Sequence, residues 1–198
     1  MKNVSLESAT LLGSGNERFC YLHPDDEDKV IKIPHNKREK SRHQNELEYQ
    51  YMSYLQQHNA DMSHIAACYG WIETDMGRGL VFQRVHDANG MDSITLNKAL
   101  KESVLTVEEA KKLLEELRVY LEQNTILFVD VGLDNILCQK QEDGSYKLVI
   151  IDGLGARRPG LKFWFYLHCK PYAKYKVQTQ WKKLADNFEK LLKETASA

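Results

Sequence analysis

Three polar residues stand beside two apolar segments near the middle of the chain. Asp130 precedes Asn135 by five residues, and the apolar segment 136–138 follows Asn135 at once. A polar turn that contains Asp-Gly then leads into the apolar segment 148–151, which ends on Asp152. Asp-Gly between two apolar segments predicts a β-hairpin. The pattern therefore predicts an acid on a loop, an amide at the start of one strand and an acid at the end of the next.

This order of groups is the one by which kinase-like folds hold magnesium and a nucleophile beside ATP. The chemistry that these residue types could perform is phosphoryl transfer. The rest of the chain then has to supply a phosphate-covering loop, a lysine and a partner for that lysine.

The N-terminal region contains candidates for the loop and the lysine. Residues 10–33 have the pattern of three strands joined by a glycine turn and an acidic turn. Gly13, Ser14 and Gly15 allow the backbone to approach phosphates closely, although the same pattern marks ordinary hairpins. Lys32 lies at the centre of a short apolar strand, so its ammonium group points either to solvent or toward a buried anion.

The partner for that lysine is expected on the next helix. From Asn45 onward, apolar residues recur at helical spacing through NELEYQYMSYL. Glu46 and Glu48 both lie on this helix but face different directions, because they are two residues apart. One of the two could therefore turn inward to pair with Lys32 while the other stays in water. The alternative is that both are solvated helix charges.

Two further strands complete an expected sheet. Residues 66–85 give two strands joined by a turn at 75–79, and residues 86–90 form a polar linker. The predicted fold class is α+β: a five-stranded antiparallel sheet with one helix over residues 1–85, and a reduced, mainly helical lobe over residues 86–198. In a kinase-like cleft, the backbone of Gln83, Arg84 and Val85 meets the adenine edge.

Three helices are predicted in the second lobe. The first covers residues 94–100, and the second covers 106–123 and opens with a capping box at Thr106 and Glu109. A final amphipathic helix closes the lobe. Its apolar face carries Trp181, Leu184, Phe188 and Leu191.

The overall composition favours a cytoplasmic protein. The 198 residues carry a net charge of −1, and the four cysteines are scattered without a CxxC pair, which is typical of reduced, packed thiols. No apolar segment approaches the roughly 20 residues that span a bilayer, so we expect no transmembrane segment. The N-terminus also lacks the apolar core of a signal peptide.

Charge is nevertheless segregated along the chain. Residues 157–183 contain eight Lys or Arg, no acid and seven aromatic residues. The remaining residues have 19 Lys and Arg against 28 Asp and Glu. A basic, aromatic surface suits an anionic partner such as nucleic acid or a membrane face. The alternative is that these aromatic residues belong to the core and the lysines surround it.

Taken in order, these segments resemble the PhoP regulatory network (YrbL-like) family of small bacterial protein-kinase-like proteins. The supporting segments are LLGSGNERFCYLHPDDEDKVIKI, NELEYQYMSYL, the helix that leads into DNILC, and VIIDGLGARRP, so the similarity covers nearly the whole chain. The resemblance implies a two-lobed kinase fold that binds ATP, with Lys32 on the phosphates and Glu46 holding Lys32. It also implies that Asn135 and Asp152 bind Mg²⁺ and that Asp130 faces the acceptor hydroxyl.

The chain departs from the usual kinase pattern at several of these places. Arg18 replaces a third loop glycine, which makes that loop bulkier. Phe128 and Val129 replace the histidine and arginine before the catalytic aspartate, and Gly132 removes a lysine that often contacts the transferred phosphate. Three functions therefore stay open: an Mg-ATP-dependent phosphotransferase with an unidentified acceptor, a nucleotide-binding pseudokinase regulator, and a non-enzymatic polyanion-binding protein that uses residues 157–183.

Overall fold

The computed structural model describes residues 4–15, 17–35 and 43–196. The N-terminal half forms the five-stranded antiparallel sheet that the sequence predicts, with the strand order β1-β2-β3-β5-β4. One helix, α1, crosses over between β3 and β4. The elements are β1 (Leu11–Ser14), β2 (Arg18–His23), β3 (Asp26–Pro34), α1 (Gln44–Gln57), β4 (Cys68–Thr74) and β5 (Gly77–Gln83).

The alternation of side chains along β3 decides where Lys32 points. Ile31 and Ile33 lie on one face of the sheet, in a small core with Leu6. Val30 and Lys32 lie on the opposite face, because successive strand residues alternate between faces. Val30 belongs there to the main core that α1 and the C-terminal half share. Lys32 is therefore directed between the sheet and the rest of the molecule, and it is buried.

The C-terminal half is mainly helical and contains a second, three-stranded sheet of order β6-β7-β8. A 3-10 turn at Leu133–Asn135 precedes β7. The remaining elements are β6 (Ile94–Thr95), α2 (Leu96–Lys101), α3 (Val107–Asn124), β7 (Ile136–Lys140), β8 (Tyr146–Ile150), α4 (Leu161–His168) and α5 (Lys170–Ala196).

The predicted long helix is confirmed, whereas the short helix before it begins later than expected. Thr106 and Glu109 form the reciprocal capping box at the start of α3. Ile94 and Thr95 are not helical, because they pair with Cys138 and Leu137 as the edge strand β6. The Thr95 side chain caps α2 by accepting a hydrogen bond from the Lys98 amide at 3.2 Å. Thr95 is therefore both the last residue of β6 and the N-cap of α2.

One continuous core joins the two halves across the predicted boundary between residues 85 and 86. Residues of α1 and residues of α3 belong to the same buried cluster. The Tyr51 hydroxyl accepts a hydrogen bond from the Leu127 amide at 2.8 Å. Gly155 has φ +80°, and a Cβ atom there would lie 2.7 Å from Tyr51. The helix α1 is thus packed directly on the segment that follows Asp152, and the division into lobes at residue 85 stays a prediction.

The described helices include none that is long and apolar enough to cross a membrane.

Candidate functional site

Four buried or half-buried charges meet where the two halves of the molecule face each other. Arg18 comes from the start of β2, Lys32 from β3, Glu48 from α1, and Asp152 from the turn after β8. The Arg18 guanidinium contacts the Glu48 carboxylate and lies 2.5 Å from Asp152 Oδ1. Lys32 Nζ lies 3.6 Å from Glu48 Oε1 and 3.9 Å from Asp152 Oδ2. We call these four residues the charge cluster; its two cations balance its two carboxylates.

Neutral groups hold the charge cluster in place. The Asn45 side chain accepts a hydrogen bond from Arg18 at 2.9 Å and donates one to the Lys32 carbonyl at 2.9 Å. Lys32 Nζ donates to the Ile151 carbonyl at 2.6 Å. The Gly153 amide donates to Asp152 Oδ1 at 2.7 Å. The charged side chains therefore have fixed partners, which is the condition under which buried charges are tolerated.

The charge cluster shifts the pKa values of Asp152 and Arg18. Burial acts to raise the pKa of the Asp152 carboxyl, but the charges of Arg18 and Lys32 outweigh burial and hold that pKa well below its usual range. Burial acts to lower the pKa of Arg18, and Asp152 and Glu48 outweigh it in the opposite direction. Because the Asp152 pKa is depressed, its contribution to stability is present above about pH 4 and is lost as the pH falls through the folded-state pKa.

The predicted pairing of Glu46 with Lys32 is wrong, because Glu48 occupies that position. Glu46 is exposed, whereas Glu48 is only 1% exposed. Asn45, Glu48, Met52 and Leu55 recur at spacings of three or four residues and share the buried face of α1. The helical register of the apolar residues therefore contained the signal that selects Glu48.

The sequence did not reveal that Arg18 forms ion pairs at this site. The residue was expected only to make the glycine loop bulkier. In the structure Arg18 is 7% exposed and bridges Glu48 and Asp152. The pairing of Arg18 with Pro34 places it at the start of β2, opposite the end of the strand that carries Lys32. A single arginine after a glycine loop does not reveal a partner 134 positions away in the sequence.

The glycine loop forms a tight hairpin between β1 and β2. The Gly15 amide donates to the Arg18 carbonyl at 2.9 Å, and the Gly15 carbonyl lies 2.9 Å from His35 Nε2. A Cβ atom at Gly13 would meet nothing within 4 Å, and one at Gly15 would lie 3.6 Å from the Arg18 carbonyl. Packing among the described residues therefore does not require glycine at either position. Ser14 lies between them at the exposed end of β1.

The predicted catalytic loop lies against the turn that carries Asp152. Asn135 Nδ2 donates to the Asp130 carbonyl at 2.8 Å, and the Ile151 amide donates to the Asn135 carbonyl at 3.0 Å. The Asp130 amide donates to the Gly153 carbonyl at 3.0 Å. A Cβ atom at Gly153 would lie 2.8 Å from the Asp130 carbonyl oxygen, so this close approach requires glycine.

The Asp130 carboxylate itself is directed outward. Its side chain is 55% exposed and is bridged by the exposed guanidinium of Arg157. An open cavity of about 460 Å³ adjoins this ion pair, and Val129, Arg157, Lys183 and Asn187 are among its lining residues. The Asp130 carboxylate is therefore accessible from solvent.

The two residues predicted to bind Mg²⁺, Asn135 and Asp152, do not fit the ion, because the Asp152 carboxylate already has other partners. Asp152 Oδ1 already accepts from Arg18 and from the Gly153 amide, and Oδ2 faces Lys32. A divalent ion at Asp152 would add two positive charges beside those of Arg18 and Lys32, which already face this carboxylate and would repel the ion. Among residues 4–15, 17–35 and 43–196, no group of three or more His, Cys, Asp or Glu could hold a metal ion.

The predicted adenine edge lies close to the charge cluster. The amides of Gln83 and Arg84 donate to the carbonyls of Ala67 and Asp28, each at 2.8 Å. Among the three predicted residues, Val85 is thus left as the candidate donor to adenine. Val85 is buried in a small apolar cluster against which Leu137 and Ile151 pack. The Ile151 carbonyl is the one that Lys32 contacts.

The fold is similar to that of a protein kinase. The structure is similar to the crystal structure of Rad53 1-466 in complex with AMP-PNP, with a TM-score of 0.53 and 15% sequence identity. The match covers 74% of this chain and 39% of that chain. The predicted kinase-like fold is therefore confirmed, although this level of identity shows the fold alone.

Sequence relatives define the class more closely. The model of the family described as PhoP regulatory network protein YrbL matches residues 4–189, and the chain belongs to that family. Two relatives, each described as uncharacterized protein YrbL, come from Escherichia coli strain K12 and Shigella flexneri. Each is 30% identical over 154 residues, which cover 77% of this chain and 73% of the relative. The family resemblance found in the sequence is confirmed.

The two glutamates of α1 provide a direct test of the charge cluster. Glu48→Gln leaves Arg18 and Lys32 buried with one carboxylate fewer, and breaking a buried ion pair in this way costs about 3 kcal/mol. Glu46→Gln changes an exposed side chain, and we expect a change within about 0.5 kcal/mol. Urea unfolding of both variants measures the difference. Equal losses of stability in the two variants would contradict the assignment.

Proposed function

We propose that this protein binds ATP between its two halves, with the phosphates near Lys32 and the adenine against Val85. The observation that supports the proposal best is the pairing of Lys32 with Glu48 beside Asp152, below a glycine hairpin. In kinase folds these are the positions of the phosphate-binding lysine, its helix glutamate and the aspartate of the metal turn. The structural relative holds AMP-PNP, an ATP analogue.

Gly13, Ser14 and Gly15 are proposed to cover the phosphates. The space available for side chains at Gly13 and Gly15 is consistent with a ligand, rather than packing, as the reason for the glycines. The Val85 amide, Leu137 and Ile151 are proposed to receive the adenine, and Gln83 lies beside them with its amide already bonded to Ala67. Mg²⁺ at Asn135 and Asp152 is not part of the proposal, because Asp152 is already engaged by Arg18 and Lys32.

Phosphoryl transfer to an acceptor hydroxyl is proposed as the reaction of this site. Asp130 lies on a loop that is fixed to the Asp152 turn, and its exposed carboxylate pairs with Arg157, which lines an open cavity. A carboxylate in this position orients an acceptor hydroxyl and takes its proton. The ion pair with Arg157 has to open or shift for an acceptor to approach Asp130. A protein that binds ATP but transfers no phosphate is the pseudokinase alternative.

A second candidate function, polyanion binding, rests on the surface of α4 and the first half of α5. Phe163 and Tyr166 are buried, so part of this aromatic segment is core, as the alternative interpretation held. Trp164, Phe165 and Tyr175 are 53%, 43% and 63% exposed. Exposed aromatic residues among lysines suit an anionic partner. Retention on heparin that is lost steeply with salt would support it, and absence of retention at low salt would contradict it.

Nucleotide binding predicts a thermal shift that depends on Lys32. ATP at ten times its dissociation constant should stabilise the protein by roughly 1.4 kcal/mol, and for a chain of this size that raises the Tm by about 3–6 °C. Lys32→Ala should abolish most of the shift. Lys29→Ala is the matched control, because Lys29 lies on the same strand but pairs with Asp26 outside the cleft. No shift in wild type, with or without Mg²⁺, would contradict the proposed function.

The catalytic part of the proposal is tested at Asp130. Asp130→Asn keeps the size of the side chain but removes the charge that takes the proton, so ATP binding should survive. Transfer of phosphate, or slow ATP hydrolysis, should fall by about 10²–10⁴, the range for a positioned general base. Asp134→Asn is the control on the same loop, since Asp134 is exposed and bonds to Asn97. Binding without any turnover in wild type would establish the pseudokinase alternative.

A further inference from the structure

Arg18 lies where a kinase-like site would present Asp152 to a divalent metal. Its terminal nitrogen is 2.5 Å from Asp152 Oδ1, and the Gly153 amide occupies the same oxygen at 2.7 Å. The charge of Asp152 is therefore neutralised by a side chain of the protein itself. The chain carries this arginine at a position where the kinase loop pattern has a glycine.

The position of Arg18 is fixed rather than incidental. One terminal nitrogen contacts Glu48 and donates to Asn45 at 2.9 Å, while the other contacts Asp152. Asn45 is 1% exposed and is itself bonded to the Lys32 carbonyl at 2.9 Å. Removing Arg18 from this position would leave Glu48 buried with Lys32 alone. The guanidinium is thus oriented before any ligand arrives.

A guanidinium in this position has donors to offer to a phosphate. Each terminal nitrogen of arginine carries two N–H groups, and Asp152 takes only one of those on its side. Asp152 is the most exposed member of the charge cluster, with a side chain that is 35% exposed, so the cluster opens to solvent on that side. Arginine binds phosphate through paired donors and keeps its charge at any ordinary pH.

We propose that Arg18 is a built-in cation that takes the place of a divalent metal at Asp152, so that ATP binds to this site without Mg²⁺. The inference rests on the proposed nucleotide binding and extends it to the identity of the phosphate-neutralising cation. Arg18 and Lys32 together face the phosphates. Asp152 serves to hold Arg18 and is not a metal ligand.

The experiment measures ATP binding to the wild-type protein by calorimetry, in EDTA and in Mg²⁺. We expect the two dissociation constants to agree within a few-fold. Weakening in EDTA by about tenfold or more, which corresponds to about 1.4 kcal/mol, would overturn the inference while leaving the proposed function intact. No binding in either buffer would overturn both.

Two variants and a metal probe locate the effect at Arg18. In EDTA, the dissociation constant of Arg18→Ala for ATP should be higher than that of wild type by about tenfold or more. Addition of Mg²⁺ should restore part of the lost affinity. Arg18→Lys keeps a positive charge and should retain metal-free binding, which also tests the idea if the alanine variant does not fold. Without nucleotide, Mn²⁺ followed by electron paramagnetic resonance should show no site in wild type. A Mn²⁺ site in wild type that Asp152→Asn removes would contradict the inference.

Discussion

The structure depends on a network of buried ion pairs that joins four segments distant in sequence. Arg18 and Lys32 come from the sheet, Glu48 from α1 and Asp152 from the turn after β8. Transferring each ion out of water costs several kcal/mol, and the cost is recovered only if every ion has partners in good geometry. The sheet, α1 and the Asp152 turn therefore have to meet in one arrangement. The close contact of Tyr51 with Gly155 fixes the same interface about one turn further along α1.

The same interactions that stabilise this interface limit the chemistry of the site. In a kinase site, the lysine and the aspartate at the positions of Lys32 and Asp152 contact phosphate and metal. Here Lys32 is 6% exposed and Asp152 is bonded to Arg18. A ligand can enter only by sharing these partners. The fold alone does not fix the function, because kinase folds host both enzymes and non-catalytic binders. The partner of Asp152 is the feature that distinguishes this site.

The sequence was sufficient for the elements whose patterns are local. The apolar segment around Lys32 predicted a strand there, the capping box placed the start of α3, and Asp-Gly placed the hairpin between β7 and β8. The order of loops predicted that the loop from Asp130 to Asn135 lies beside the Asp152 turn. These features depend on periodicity and turn chemistry, which neighbouring residues determine.

The sequence was insufficient where a long-range partner decides the outcome. Glu46 and Glu48 are equivalent by residue type, and only the rotation of α1 against the core separates them. Arginine is usually a surface residue, and the burial of Arg18 depends on ion pairs with Glu48 and Asp152 from other segments. Ile94 and Thr95 form a strand because β7 offers them an edge. Pairing between distant segments overrides local preference in each case.

The central claim is that Arg18 and Asp152 bind each other and hold the two halves of the molecule together. A double-mutant cycle on the free energy of unfolding measures this directly, with Arg18→Met, Asp152→Asn and the two combined. We expect the double variant to be less destabilised than the sum of the single variants, with a coupling of about 0.5–3 kcal/mol, the range for residues in one ion-pair network. Additive effects, with a coupling within about 0.5 kcal/mol, would contradict the account.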